Sequence, residues 1–207
     1  MFTGIIESIG TLVTLERHGN DVRLRIASGK LDLGGVRIGD SISVSGVCLT
    51  VTDLYGDGFC ADVSHETLSC TTFSDLRPGV GVNLEKSLTP STPLGGHWVS
   101  GHVDGVGTLL KCYQDGQSLR LHMKVPDALV RYIASKGSIC VDGVSLTVNA
   151  VSGAEFEVNL IPHTLQETIL SNLILGDAVN IEVDIIARYL ERLLGERALP
   201  DAGFNKE

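Results

Sequence analysis

Gly39 to Thr52 reads GDSISVSGVCLTVT, and Lys136 to Asn149 reads KGSICVDGVSLTVN. Gly46 falls on Gly143 at an offset of 97, and Ile42, Val44, Val47, Leu49, Thr50 and Val51 each meet the same residue 97 positions on. The offset runs outward without a gap. Gly4 falls on Gly101, Gly10-Thr11-Leu12 on Gly107-Thr108-Leu109, Arg23-Leu24 on Arg120-Leu121, Phe59 on Phe156, Thr67-Leu68 on Thr164-Leu165, and Val82-Asn83 on Val179-Asn180. About 26 of roughly 88 aligned positions are identical, which marks a tandem duplication. The period exceeds the ~20 to 50 residues of a solenoid unit and has the size of a small domain. The chain therefore holds two similar domains.

Within each unit the hydrophobic residues alternate. Val22, Leu24 and Ile26 recur at period two, as do Ile42 and Val44 against Ser41, Ser43 and Ser45. His18-Gly19-Asn20-Asp21 and Tyr55-Gly56-Asp57-Gly58 are turn signals between such runs. Gly4 to Leu15 reads as a first strand, His65 to Phe73 as a helical turn, and Gly81 to Leu84 as a last strand. Six or so short strands at this spacing predict a closed barrel in each half. The second half adds one element: Asp127 to Ser135, after Pro126, places Leu129, Tyr132 and Ile133 on one helical face.

Ser87 to Gly96, with Pro90, Pro93 and two glycines at its end, reads as a linker. The expected organisation is a first barrel and linker over 1–96, a second barrel over 97–185, and an oligomerisation helix and tail over 186–207. Ile185 to Leu199 carries the clearest helical pattern: Ile185, Ile186, Tyr189, Leu190, Leu193 and Leu194 form a stripe, with Arg188, Glu191, Arg192 and Glu196 opposite. Nothing in the first half matches it, so the stripe is expected to pack on other subunits in preference to its own barrel. Pro200 to Glu207 reads as a frayed tail.

Composition narrows the function classes. A net charge of −9 over 207 residues repels a nucleic-acid backbone. No run approaches the ~18 apolar residues of a membrane span, and MFTGIIESIG lacks the basic and long apolar regions of a signal peptide. Five scattered cysteines with no Cys-x-x-Cys pair suit reduced thiols and a cytoplasmic location.

Four motifs together, the opening MFTGII, the segment GVCLTV, the stretch GGHWVSGHVDGVG and the later KGSICVDGVSLTV, resemble the riboflavin synthases, the lumazine-binding two-barrel family. The resemblance spans about residues 1 to 200. It implies an all-β fold of two tandem six-stranded Greek-key barrels with a C-terminal α-helix, and a homotrimer with active sites between subunits. The implied reaction is a dismutation of two molecules of 6,7-dimethyl-8-ribityllumazine. One donates a four-carbon unit to the other, giving riboflavin and 5-amino-6-ribitylaminouracil with no metal or organic cofactor. The resemblance leaves association with lumazine synthase open.

A dismutation binds two copies of one molecule, and two similar barrels supply two similar pockets. The resemblance points to offset pairs as pocket walls: Gly4-Ile5-Ile6 with Gly101-His102-Val103, and Cys48-Leu49-Thr50 with Ser145-Leu146-Thr147. A third pair is Asp62-Val63-Ser64-His65-Glu66-Thr67 with Asn159-Leu160-Ile161-Pro162-His163-Thr164. Phe2, Ser41 and Lys136 complete the binding set. Backbone groups there can read the pyrimidinedione edge, and hydroxyls can orient ring and ribityl chain.

The chemistry asks for proton handling, because loss of an acidic ring-methyl proton creates the nucleophile. His102, standing where the first repeat has Ile5, is the first choice as acid or base. Cys48, Ser145 and Thr147 can position or supply the group added to the other ring. Asp184 replaces Ser87 and Lys136 replaces Gly39, so these charges belong to the second repeat alone, as site groups or as surface ions. The paired glycines suit barrel corners as well as a site, and His97 and Trp98 can simply shape the linker. His65, His122 and His163 carry weaker claims, and His18 is expected in solvent.

Two other classes compete. A non-catalytic lumazine or flavin binder with the same barrels has no need of both pockets with Cys48, His97, His102, Lys136, Ser145 and Asp184 kept together. An oligonucleotide-binding barrel would need a basic groove and stacking aromatics, against an acidic chain with 5% aromatic residues.

Overall fold

The computed structural model describes residues 1–195 and resolves the repeat into two closed antiparallel barrels. The first is built from β1 (Ser8–His18), β2 (Asp21–Ala27), β3 (Ser41–Val44), β4 (Val47–Tyr55), β5 (Gly58–Val63), the short helix α1 (His65–Cys70) and β6 (Gly81–Lys86). The second repeats the plan with β7 (Gly105–Asp115), β8 (Ser118–Lys124), β9 (Ser138–Val141), β10 (Val144–Ser152), β11 (Glu155–Leu160), α2 (Pro162–Glu167) and β12 (Ala178–Val183), followed by α3 (Ile185–Gly195). Around the barrels the orders are β1-β2-β5-β4-β3-β6 and β7-β8-β11-β10-β9-β12. The non-sequential neighbours β2–β5 and β3–β6 are the Greek-key connection.

Register follows from the turns. Ser45-Gly46 joins β3 to β4 with φ of 44° and 84°, and Asp142-Gly143 joins β9 to β10 with φ of 45° and 82°. Positive φ at both central residues is the two-residue hairpin turn whose twist matches the flanking strands. Bulges fall between Leu12 and Thr14 and between Val51 and Asp53, and again at Leu109/Lys111 and Val148/Ala150. They bend the long strands so that each sheet can close. Alternation then sends Leu12, Leu24, Ile26, Ile42, Leu49, Val51, Phe59 and Leu84 into one core, and Leu109, Leu121, Met123, Ile139, Leu146, Val148, Phe156 and Ile181 into the other. Each side chain buried there stabilises the fold by about 1.5–3 kcal/mol.

Two local expectations are corrected, and a third feature, the face of α3, is open as expected. The first strand begins at Ser8, not Gly4, because Gly4 has φ +75° and its segment leaves for the other barrel. Asp127 to Ser135 forms a 3₁₀ helix over Asp127–Tyr132 only, since Ile133 already has an extended backbone; Leu129 and Ile133 are buried and Tyr132 packs beside them. The apolar stripe of α3 is not covered by its own barrel: Ile186, Tyr189, Leu190, Leu193 and Leu194 are each at least half exposed. The polar side of α3 docks instead, through Arg188 to Asp104 and Glu191 to Tyr132 and Arg131. The expected end of this helix beyond Gly195 and the tail lie outside the described residues.

Candidate functional site

The barrels meet on a pseudo-twofold seam. Asn83 donates its amide to Asp142 O at 2.8 Å, and Asn180 donates its own to Ser45 O at 2.9 Å. In return the Asn180 and Asn83 side-chain oxygens accept from Thr72 N and Ile169 N, both at 2.8 Å. The segment before each first strand crosses this seam as a strap. Gly4 O accepts from Ser145 N at 2.7 Å, and Gly101 O accepts from Cys48 N at 2.8 Å. Extended backbone alternates its side chains. Ile6 accordingly packs on the second core while Ile5 borders a cavity of about 620 Å³ with Ser41, Glu85 and Lys86. Val103 packs on the first core, while His102 borders a cavity of about 330 Å³ with Glu182, Arg188 and Tyr189.

Each barrel carries an outward polar patch beside the strap that reaches it. On the first, Ser41 and Thr50 are register partners, and Thr50 is exposed. One step beyond the Val51–Ala61 pair stands Asp62, also exposed. Ser64 caps α1, accepting from Thr67 N at 3.2 Å, and so fixes the loop that carries Glu66 and Thr67. On the second, Ser138 pairs with Thr147, and one step beyond Val148–Val158 lies Asn159. Its side-chain oxygen is buried without a partner among the described residues, an acceptor open to a ring N–H. Ile161, Pro162, His163 and Thr164 continue the patch into α2. The N–H groups of Ile6 and Val103, at equivalent points of the two straps, make no hydrogen bond among the described residues.

Several expected residues, Phe2 among them, do not present side chains here. Leu49, Val63, Leu146 and Leu160 point into the cores, which leaves only their backbone for a ligand. His65 is exposed beside Arg17 and Arg77 on a cavity of about 580 Å³. His102 borders its own cavity below α3, apart from both threonines. Lys136 is exposed with φ +67° where the first repeat has Gly39 at +95°, a conformation that lysine adopts only at a cost of about 1–2 kcal/mol. His18 is in solvent, as expected.

At the crossing points the repeats diverge chemically. Ser145 sits in a cradle of glycines: a Cβ on Gly4 would stand 2.6 Å from its Cβ, and one on Gly96 would stand 2.8 Å from its Oγ. That closeness brings His97 Nδ1 to 2.7 Å from Ser145 Oγ. His97 is buried, and burial holds its pKa below the usual value, with Asp184 opposing. It is therefore neutral near pH 7 and able to accept from the hydroxyl. Asp184 itself caps α3, accepting from Ile186 N at 3.0 Å. Cys48 instead packs with Phe2, Val99 and Cys140; Phe2 is fully buried and bonded to Val99 at 2.7 Å, so it lines the seam. The linker reading of His97 missed this pairing because its partner is 48 residues away.

Comparison with known proteins agrees with this geometry. The lumazine binding domain matches the chain twice, over residues 3–87 and 100–184. The riboflavin synthase of Photobacterium phosphoreum is 48% identical over 194 residues, covering 94% of this chain and 89% of that one. That of Bacillus subtilis is 42% identical, covering 94% and 90%. A crystal structure of LumP complexed with 6,7-dimethyl-8-(1'-D-ribityl)lumazine superposes with a TM-score of 0.80 at 28% identity, over 88% of this chain and 99% of that one.

Proposed function

The chain belongs to the lumazine-binding family that includes the riboflavin synthases, and we infer that it is a riboflavin synthase, converting two molecules of 6,7-dimethyl-8-ribityllumazine into riboflavin and 5-amino-6-ribitylaminouracil. The observation that carries this reading is the doubled patch: Ser41 with Thr50 and Ser138 with Thr147, each threonine two residues along its strand from the Cys48 or Ser145 N–H that a strap of the other repeat accepts. A reaction between two copies of one molecule needs two sites of similar shape and unequal chemistry. Here the inequality lies at Ile5/His102, Gly39/Lys136, Cys48/Ser145 and Ser87/Asp184.

In the donor–acceptor pair one ring loses a methyl proton, and its carbanion attacks the other ring, which is activated by an added nucleophile. Ser145 fits the nucleophile, since His97 can take its proton as the oxygen adds and return it when the oxygen is expelled again after carbon transfer. Cys48 and Thr147 orient the rings. His102, which faces its own cavity below α3, moves the methyl proton of a ring that a neighbouring subunit presents to that cavity. The four-carbon unit passes intact between the two molecules, so the overall exchange is redox-neutral and closes without an external oxidant. Much of the rate comes from holding two rings face to face.

A homotrimer completes the sites. Supporting it, α3 turns Arg188 and Glu191 to its own barrel and leaves its apolar stripe outward, a surface that a second subunit would cover. No helix among the described residues is long and apolar enough to cross a membrane, and all five cysteines are free thiols, which fits the cytoplasm.

A chain that only binds lumazine is the competing reading. Purified protein incubated with the lumazine alone separates the two: one riboflavin formed per two lumazines consumed supports the enzyme, and bound but unchanged lumazine rejects it.

A further inference from the structure

Two buried carboxylates outside the proposed chemistry hold the straps. Glu85, on β6, accepts at Oε1 from the Thr3 N–H and hydroxyl, both at 2.7 Å, and at Oε2 from Gly4 N–H at 2.9 Å. Glu182 occupies the same place on β12. Its Oε1 accepts from the Ser100 N–H at 2.6 Å and hydroxyl at 2.7 Å, and its Oε2 from Gly101 N–H at 2.9 Å and His102 N–H at 3.0 Å. Each residue is 4% exposed. Burial raises both carboxyl pKa values, and these hydrogen bonds pull them back down. Charge-assisted bonds of this kind are about twice as strong as neutral ones. A carboxylate that collects three or four of them leaves its donors almost no freedom.

The donors are the last residues before the crossing. Gly4 N–H is held by Glu85 while Gly4 O accepts from Ser145; Gly101 N–H is held by Glu182 while Gly101 O accepts from Cys48. One residue thus separates each carboxylate from the opposite barrel. There is no slack there either, since a Cβ on Gly101 would stand 2.7 Å from Cys48 Cβ.

We propose that Glu182 is a positioning residue for the ring site on the first barrel, and Glu85 for the ring site on the second, each acting through its strap on the barrel to which it does not belong. The proposal rests on the ring-binding reading of the two patches. It explains why β6 and β12 spend a buried charge on a segment that adds nothing to their own cores.

The test reads crosswise dependence with riboflavin as the fluorescent probe. Thr147→Val leaves binding at the first barrel, and Thr50→Val leaves binding at the second. Glu182→Gln sets an amide N–H₂ against the strap's N–H groups. It should weaken riboflavin binding about ten-fold in the Thr147→Val background and leave it unchanged in the Thr50→Val background. Glu85→Gln should do the reverse. Equal losses in both backgrounds, or a Glu182→Gln loss confined to the Thr50→Val background, overturns the proposal. If a Gln variant fails to fold, Ser100→Ala and Thr3→Ala, which remove one donor each, carry the same comparison. The unsubstituted chain is titrated alongside. If it fails to bind riboflavin, the site reading falls and the proposal with it; if it binds while the crosswise pattern is missing, the proposal alone falls.

Discussion

Gly46 and Gly143 meet at the seam between the barrels: a Cβ built on either stands 2.8 Å from the backbone nitrogen of the other. Both have φ above +80°. Gly19 shares the positive φ, at 66°, but has nothing within 4 Å. Gly19→Ala should therefore show the backbone strain alone, about 1 kcal/mol, and Gly46→Ala should lose about 3 kcal/mol in urea denaturation. Equal losses would mean that the seam yields freely.

Asp142 stands where the first repeat has Ser45, and it places a carboxyl group on the same seam. Its Oδ1 accepts from Asn180 N at 2.8 Å, and burial, aided by Asp177, pushes its pKa from 3.8 up to about 7. A folded value above the unfolded one means that the protonated form is favoured in the fold. The contribution of Asp142 to stability is then greatest below about pH 4, declines as pH rises to about 7, and levels off beyond. Asp142→Ser, which borrows the first repeat's solution, should flatten this slope. It should be more stable at pH 8 by an amount on the order of 2–4 kcal/mol. An unchanged slope would acquit Asp142.

His97 is held neutral by burial, so its role with Ser145 should persist well below the pH at which an ordinary histidine protonates. The acid limb of kcat/KM should lie under pH 6.5, and His97→Gln should abolish that limb while lowering kcat. Ser145→Ala should lower kcat by roughly 10² or more, with riboflavin binding within a few-fold. A Ser145→Ala enzyme of normal kcat would remove Ser145 as the added nucleophile.

For His102 the expectation separates binding from turnover. His102→Gln keeps shape and hydrogen bonding, so lumazine should bind within a few-fold, while turnover falls by roughly 10² to 10⁴. The direct readout is enzyme-catalysed exchange of the methyl protons with D₂O, measured by NMR in excess of the free substrate's own exchange. Turnover near that of the unsubstituted enzyme would reduce His102 to a wall of its cavity.

The exposed stripe of α3 gives an assembly test. Deleting residues 186 to 207, or replacing Leu190 and Leu193 by Glu, should give monomers with folded barrels and little activity. A trimer in sedimentation after either change would show that the helix is not the tie.

Much of this was legible in the chain. Period-two alternation fixed the strands around Ile42 and Val44, and the 97-residue offset carried even the bulges at Val13 and Leu110, since equal sequence bends equally. The crossing was not legible: Gly4 matches Gly101 whether a strap stays at home or leaves, because an alignment within one chain holds no information on which copy a segment touches. Glu85 and Glu182 are identical across the offset, yet a carboxylate bonded to backbone N–H groups imposes no periodicity that would single it out. His97 looked like linker for a related reason, its partner being set by glycines that permit close approach. The 3₁₀ turn at Asp127–Tyr132 was overread because the helical pattern there is one turn long.

The reciprocity of the seam has a historical meaning. Asn83 with Asp142 and Asn180 with Ser45, or Gly4 with Ser145 and Gly101 with Cys48, are the paired contacts of an isologous dimer, in which each surface meets its own copy. A single-barrel ancestor able to exchange straps with its twin would make every one of them. In such a dimer any substitution appears twice, so the two sites must stay alike. Joining the halves through Ser87 to Gly96 released that constraint, and a histidine, a lysine and an aspartate could then settle on one side only.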